Sequence, residues 1–286
     1  MGPSLKGHTG TIRSVAYQDK NGRDNAAVLA SAGAGDNRPR LWDVNTGCIL
    51  MDRVMRDLQC MHFAFTDSFH LMCCIFSKLS GASLCALSAH SDAVHGLAWL
   101  GSQGASDGLL LSGCDKGVVV AHDMRMSNRA WTLALPPHMF DGSKPGICCL
   151  TAPTLDHSNS ASEGIIFAGC TGGFVCVIDA NTRSVVAAHR PHTDDVRAIA
   201  LHGVSPKRAG EVSYGLVTTS FDGLGAVWNV ARSDGTVKGA YSFQLESMLK
   251  GHGDKILGVA STARNNVLEV ITTGADGKAI LWTPRT

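Results

Sequence analysis

A spaced His, Asp and Trp punctuation recurs along this chain and constrains its fold more than any other feature. Gly7-His8 leads to Asp36 and Leu41-Trp42-Asp43, His192 leads to Asp222 and Val227-Trp228-Asn229, and Gly251-His252 leads to Asp276 and Leu281-Trp282. In each of these three units the Asp stands six residues before the Trp. A fourth His turn, at His90, opens a unit that no Trp closes. Between the landmarks lie short β-branched runs spaced by Gly, Asp, Asn and Ser, which is the signature of strands and tight turns. Repetition with fixed punctuation implies a radial stack of small sheets. Such a stack is a binding platform.

Aligned on the landmarks, the chain divides into six units. The first runs from Leu5 to about Leu50, with strands expected around Ile12–Tyr17 and Val28–Ala32 and a third ending at Trp42. The second, about 51 to 88, has lost its landmarks but keeps strand-like runs at Cys60–Phe65 and His70–Phe76. Unit three starts at His90, with strands near Val94–Leu100, Leu109–Gly113 and Val118–His122. Unit four covers Ile147–Leu150, Ile165–Gly169 and Phe174–Asp179. Unit five covers Val196–Leu201, Leu216–Ser220 and Gly225–Val230, with an outer strand at Tyr241–Met248. Unit six covers Ile256–Ser261, Leu268–Thr272 and Lys278–Trp282.

The pattern resembles the Trp-Asp (WD) repeat family of β-propellers, and the resemblance covers essentially the whole chain. It implies an all-β fold with blades of four antiparallel strands around a central channel. It also implies a hydrogen-bonded relay within a blade, from Asp to His, His to a Ser or Thr hydroxyl, and hydroxyl to the Trp indole. Two units match closely: His192, Thr218, Asp222 and Trp228, and His252, Thr272, Asp276 and Trp282. The first matches with His8, Asp36 and Trp42, but Ala32 stands where the hydroxyl belongs. Unit three is intermediate, with Ser112 present, His122 in place of Trp, and Lys116 in the Asp slot beside Asp115. Unit four puts Ile178 and Gly172 at the Trp and Asp positions. A buried carboxylate and imidazole are costly unless fully partnered, so units without the set rely on apolar packing. Six repeats are countable. The chain ends just after a third strand, and few residues precede the first turn, so a seventh blade is expected outside it. The expectation is one propeller domain over residues 1–286, within a longer polypeptide.

Bulk properties narrow the function. The 286 residues carry a formal net charge of +1 with 17% charged side chains, so the global electrostatics favour neither nucleic acid nor a membrane surface. Ten cysteines sit mostly in apolar strand-like runs, among them Cys73-Cys74 and Cys148-Cys149, with no Cys-x-x-Cys pair. They read as buried free thiols of a reducing compartment rather than disulfides or zinc ligands. The longest apolar stretch, Ile165 to Ile178, is too short and too interrupted by glycine to span a bilayer. A cytoplasmic or nuclear protein without cofactor or metal is expected.

Pooled, His8, His192 and His252 resemble an acid–base or metal set, but each lies in its own unit with its own Asp and Trp. The structural relay is the better reading. No carboxylate pair suggests glycoside chemistry, and no separate Ser-His-Asp arrangement is evident. Ala32-Gly33-Ala34-Gly35-Asp36 precedes a strand rather than a helix, which argues against a phosphate cradle. The chain is therefore expected not to be an enzyme.

Contact residues are expected beside the relay. The turns holding His and Asp open onto one propeller face, and the resemblance implies that their flanking residues meet partners: Thr11, Asp195 and Lys255, with Phe221 just before Asp222. Gly35 and Ala275 match Phe221 in the neighbouring units, so an aromatic here is an anchor candidate. Arg38-Pro39-Arg40 enters a third strand where Pro removes a ladder donor, and its two arginines are candidates for an acidic partner. The insertions Asp19–Ala26, Gly101–Gly108, Ala152–Gly164 and Gly203–Gly215 all fall between first and second strands and project from the other face. The run from Leu110 to Arg125, ending Asp-x-Arg, resembles the box of WD-repeat substrate receptors of cullin–RING ubiquitin ligases. That would make Arg125 a ligase-adaptor contact, although His122 replaces the usual Trp. The reading is a non-enzymatic scaffold for proteins or peptides. Its alternatives are a ubiquitin-ligase receptor and an RNA-processing propeller using Arg38, Arg40, Lys207 and Arg208.

Overall fold

The computed structural model describes the backbone of residues 11–18, 28–34, 40–43, 49–52, 70–71, 75–77, 83–85, 90–92, 94–100, 108–123, 128–153, 164–204, 213–232, 241–264 and 267–283, with most side chains from residue 90 onward. These residues build six antiparallel sheets. The first holds β1 (Thr11–Gln18), β2 (Val28–Ala34), β3 (Arg40–Asp43) and β4 (Ile49–Asp52); the second holds β5 (His70–Leu71), β6 (Ile75–Ser77) and β7 (Ser83–Cys85). The third holds β8 (Val94–Leu100), β9 (Leu109–Cys114), β10 (Val118–Asp123) and β11 (Asn128–Ala134). The fourth holds β12 (Ile147–Thr151), β13 (Ile165–Cys170), β14 (Val175–Asp179) and β15 (Ser184–His189). The fifth holds β16 (Val196–Val204), β17 (Ser213–Ser220), β18 (Leu224–Arg232) and β19 (Tyr241–Lys250), and the sixth β20 (Ile256–Arg264), β21 (Val267–Gly274) and β22 (Ala279–Trp282). Strand order follows chain order in every sheet, so each is a meander of hairpins. The fold is an all-β propeller, with each sheet a blade.

Four details differ from the sequence expectation. The unit boundary at Leu50 cuts through β4, which pairs with β3 as the outer strand of the first blade. The run His70–Phe76 is two strands, with His70 opposite Ser77 and Leu71 opposite Phe76. β11 and β15 are outer strands that the landmark spacing did not mark. The Gly203–Gly215 insertion is shorter than expected, because β16 and β17 extend into it and pair Val204 with Tyr214. The expected strand at Cys60–Phe65 lies outside the described residues.

The blades stack face to face. Alternation in β13 sends Ile166 and Ala168 into a core with Leu111, Val119 and Ala121 of the third sheet, and Ile165 and Phe167 into another with Leu216 and Trp228 of the fifth. The opposite face of the fifth sheet, at Val217 and Val227, packs with Leu249 and Val270. First strands of neighbouring blades also meet, β8 against β12, β12 against β16 and β16 against β20. The far face of the sixth sheet is different: Ile271 and Leu281, at the repeat positions of Val217 and Val227, are 47% and 59% exposed.

One backbone device recurs in every described first strand of a full repeat. β1, β8, β12, β16 and β20 each gain one residue against their neighbour near the start, at Arg13, His95, Cys148, Arg197 and Leu257. A bulge of this kind bends the strand and re-aims the extra side chain.

Candidate partner-binding face

The His turns and the tight turns between second and third strands meet at one end of each blade. In the fifth blade the Trp228 indole donates to Thr218 Oγ1 at 3.0 Å, Thr218 Oγ1 lies 2.9 Å from His192 Nε2, and His192 Nδ1 lies 3.0 Å from Asp222 Oδ2. The proton order of the neutral ring follows from the carboxylate. Ionised Asp222 can only accept, so Nδ1 carries the proton and Nε2 accepts from the Thr218 hydroxyl, whose oxygen in turn accepts the indole N–H. Asp222 further accepts the amides of Thr193 and Leu224 at 3.1 and 2.9 Å, which pins the His turn to the tight turn. Burial pushes the His192 imidazole below its ordinary pKa, against the opposing pull of Asp222.

The sixth blade repeats the arrangement, with Trp282 to Thr272 at 2.8 Å, Thr272 to His252 at 2.8 Å and His252 to Asp276 at 3.0 Å. The Gly253 amide, and then the His252 ring, hold the Asp276 carboxyl down to about 2. His8 and Asp36 lie outside the described residues, as does the Trp42 side chain.

The third blade has a different relay. Ser112 Oγ lies 2.7 Å from His90 Nε2 and 3.4 Å from His122 Nε2. Lys116 turns outward, donating to Ser91 Oγ at 3.3 Å and lying 3.8 Å from the Asp92 carboxylate. His90 Nδ1 is therefore buried with no hydrogen-bond partner among the described residues. Burial lowers the pKa of both imidazoles, and His122 is lowered further by His90 and Arg129.

At this rim the bulge residue of the first strand meets the residue that opens the tight turn of the same blade, as His95 meets Asp115 and Arg197 meets Phe221. Cys148 and Thr171, and Leu257 and Ala275, hold the matching repeat positions in the fourth and sixth blades. The repeat fixes their placement and leaves their chemistry free. His95 Nε2 lies 3.0 Å from the Asp115 carboxylate. Phe221 is held through its amide, which donates to the Asp195 carbonyl at 3.0 Å, and the Arg197 guanidinium stands 5.3 Å from its ring centroid. Lys255 Nζ approaches the same ring from the next blade, at 4.6 Å. Both distances are within cation–π range. Cys148, which also lies against Arg197, has its thiol raised to about 11, chiefly by burial.

Of the residues read from sequence as contacts, Phe221 and Lys255 meet here, and Lys255 is exposed. Asp195 serves the fold: its Oδ1 accepts the Gly172 amide of the preceding blade at 2.9 Å. Gly172 and Gly173 both adopt positive φ, at 71° and 86°, and a Cβ on Gly173 would overlap the His192 carbonyl. Thr11 and Arg40 lie in β1 and β3, but their side chains, together with Arg38, Arg125, Lys207 and Arg208, fall outside the described residues. Ala32 to Ala34, the start of the glycine-rich run, form the end of β2. Arg197 was not marked by its sequence context. Its signal is positional, since it is the fifth residue after the turn His, as His95 follows His90 and Leu257 follows His252. Among the described residues, no group of three or more His, Cys, Asp or Glu side chains is placed to hold a metal ion.

The family model for the WD domain, G-beta repeat, matches residues 3–43 and 243–283. Among solved structures, that of U3-55K superposes with a TM-score of 0.65 over 98% of this chain and 79% of that chain, at 19% sequence identity. A likeness of that kind is one of fold. A comparison with curated proteins finds no match.

Proposed function

We propose that this chain, a β-propeller built from WD repeats, is a non-enzymatic scaffold that presents the Phe221 rim to partner proteins. The observation behind this reading is the placement of Phe221 between Arg197 and Lys255 on turns that the His192 and His252 relays hold fixed. Rigid turns present a contact at little ordering cost, which is how a propeller binds without moving. The His192 and His252 imidazoles are engaged on both ring nitrogens by Thr and Asp, so they have no free nitrogen for acid–base chemistry.

The test is affinity purification of the full-length protein from its own cells, comparing wild type with Phe221→Ala after circular dichroism shows both to be folded. Partners retained by wild type and lost with the variant support the reading. An identical set of partners from both would remove this rim from the account.

A further inference from the structure

We propose that Arg197, Phe221 and Lys255 form the docking point for an acidic peptide segment of a partner protein. This deepens the scaffold reading and rests on it.

The argument is one of charge left over. Every described carboxylate in the surrounding turns is directed at a backbone amide. Asp194 accepts the amide of Asp195 at 2.7 Å, Asp195 that of Gly172 at 2.9 Å, Asp254 that of Lys255 at 2.7 Å, and Asp222 those of Thr193 and Leu224. Among the described residues, neither Arg197 nor Lys255 has a carboxylate within salt-bridge distance. Their contacts are the Phe221 ring and, for Arg197, the Cys148 thiol. A guanidinium has five N–H donors in a fixed fork suited to a carboxylate, and among the described residues the Arg197 fork meets only the Phe221 ring and the Cys148 thiol.

The geometry explains why the cations stay in place without an anion. The bulge in β16 turns Arg197 out of the ladder toward the tight turn, where Phe221 holds it by one face. Lys255 comes from the His turn of the next blade, so the cluster bridges two blades. An approaching Glu or Asp would find two preset charges whose side-chain entropy is already restricted, and an apolar neighbour in the peptide would find the Phe221 edge. No other described rim pair offers this: His95 is already paired with Asp115, and Leu257 and Ala275 are apolar.

The experiment uses the full-length protein and fluorescein-labelled decapeptides of alternating Glu and Leu, Gln and Leu, or Lys and Leu, read by fluorescence anisotropy at low and physiological salt. The Glu peptide should bind in a salt-sensitive way and the other two at least about tenfold more weakly. Arg197→Gln should weaken Glu-peptide binding about five- to tenfold. Lys255→Glu, at an exposed position safe for folding, should weaken the Glu peptide and strengthen the Lys peptide. Equal binding of Glu and Gln peptides, or no change with Lys255→Glu, overturns the proposal. So does a single-stranded oligouridylate that binds through the same two cations more tightly than the Glu peptide. If that happens while Phe221→Ala still loses its cellular partners, the scaffold reading survives and the acidic partner does not.

Discussion

Asp195 Oδ1 accepts the amide proton of Gly172 at 2.9 Å, and this bond joins the His turn of the fifth blade to the tight turn of the fourth. Gly172 occupies the slot where other units place the relay Asp, so the fourth blade has no carboxylate of its own to brace that turn. The neighbour supplies one. Asp195→Ala should lower the unfolding free energy by about 1 kcal/mol, a half-exposed bond to a charged acceptor. Asp195→Asn keeps an acceptor and should lose less. Urea unfolding of the three proteins checks the order; equal midpoints would show that the bond contributes nothing.

Thr218 is the saturated centre of its relay, accepting from Trp228 and donating to His192. Thr218→Val preserves shape and strips both bonds, leaving a buried indole N–H and a buried ring nitrogen unmatched. The expected cost is about 3 kcal/mol. Ser at the same position should recover most of it, because the hydroxyl returns. A valine variant as stable as wild type in urea would mean that the relay is decorative.

Acid should weaken the fold in two stages. Burial holds the folded-state pKa of His90, His122 and His192 below the ordinary imidazole value. Below about pH 6.5 the unfolded chain binds protons that the folded chain refuses, so this stability is full above that pH and is lost as pH falls through the folded values. His122→Gln should flatten part of that slope. Asp276, held near pKa 2, adds stability that is present above about pH 4 and lost on approach to its folded value. Urea midpoints from pH 7.5 down to pH 3 report both stages, and a flat profile across pH 7 to 5 would contradict the first.

Equivalent repeat positions should respond unequally to the same truncation. Val217 is fully buried between two blades, whereas Ile271, its counterpart, is 47% exposed. Val217→Ala should cost about 2 kcal/mol. Ile271→Ala, on the exposed side of β21, should stay within about 0.5 kcal/mol despite removing a larger group. Thermal melts of the two variants decide the matter, and a larger loss for Ile271→Ala would show that something covers this face.

The relay blades were legible in the sequence because one chemical requirement, full partnering of a buried imidazole and carboxylate, fixes four residue types at fixed spacing. Core strands such as β13 were legible because both faces are buried and the run Ile165 to Cys170 is apolar throughout. The outer strands β11 and β15 were not. In β11 buried Trp131 and half-buried Leu133 do alternate with exposed Ala130, Thr132 and Ala134, but the strand carries none of the repeat's landmark residues, and Ser184–His189 is half-buried along its whole length with no alternation at all. Phe221 stood out against Gly35 and Ala275, but Arg197 looked like any cation in a strand. What singles it out is a bulge, and a bulge is a property of pairing between two strands rather than of either one.

The seam between the fifth and sixth blades bears on how the molecule opens. In a stack held by nearest-neighbour interfaces, blades separate along such seams. Lys255 rides on the sixth blade and Arg197 on the fifth. Opening of this seam would pull the two cations apart, so whatever binds both of them also acts as a clasp across it.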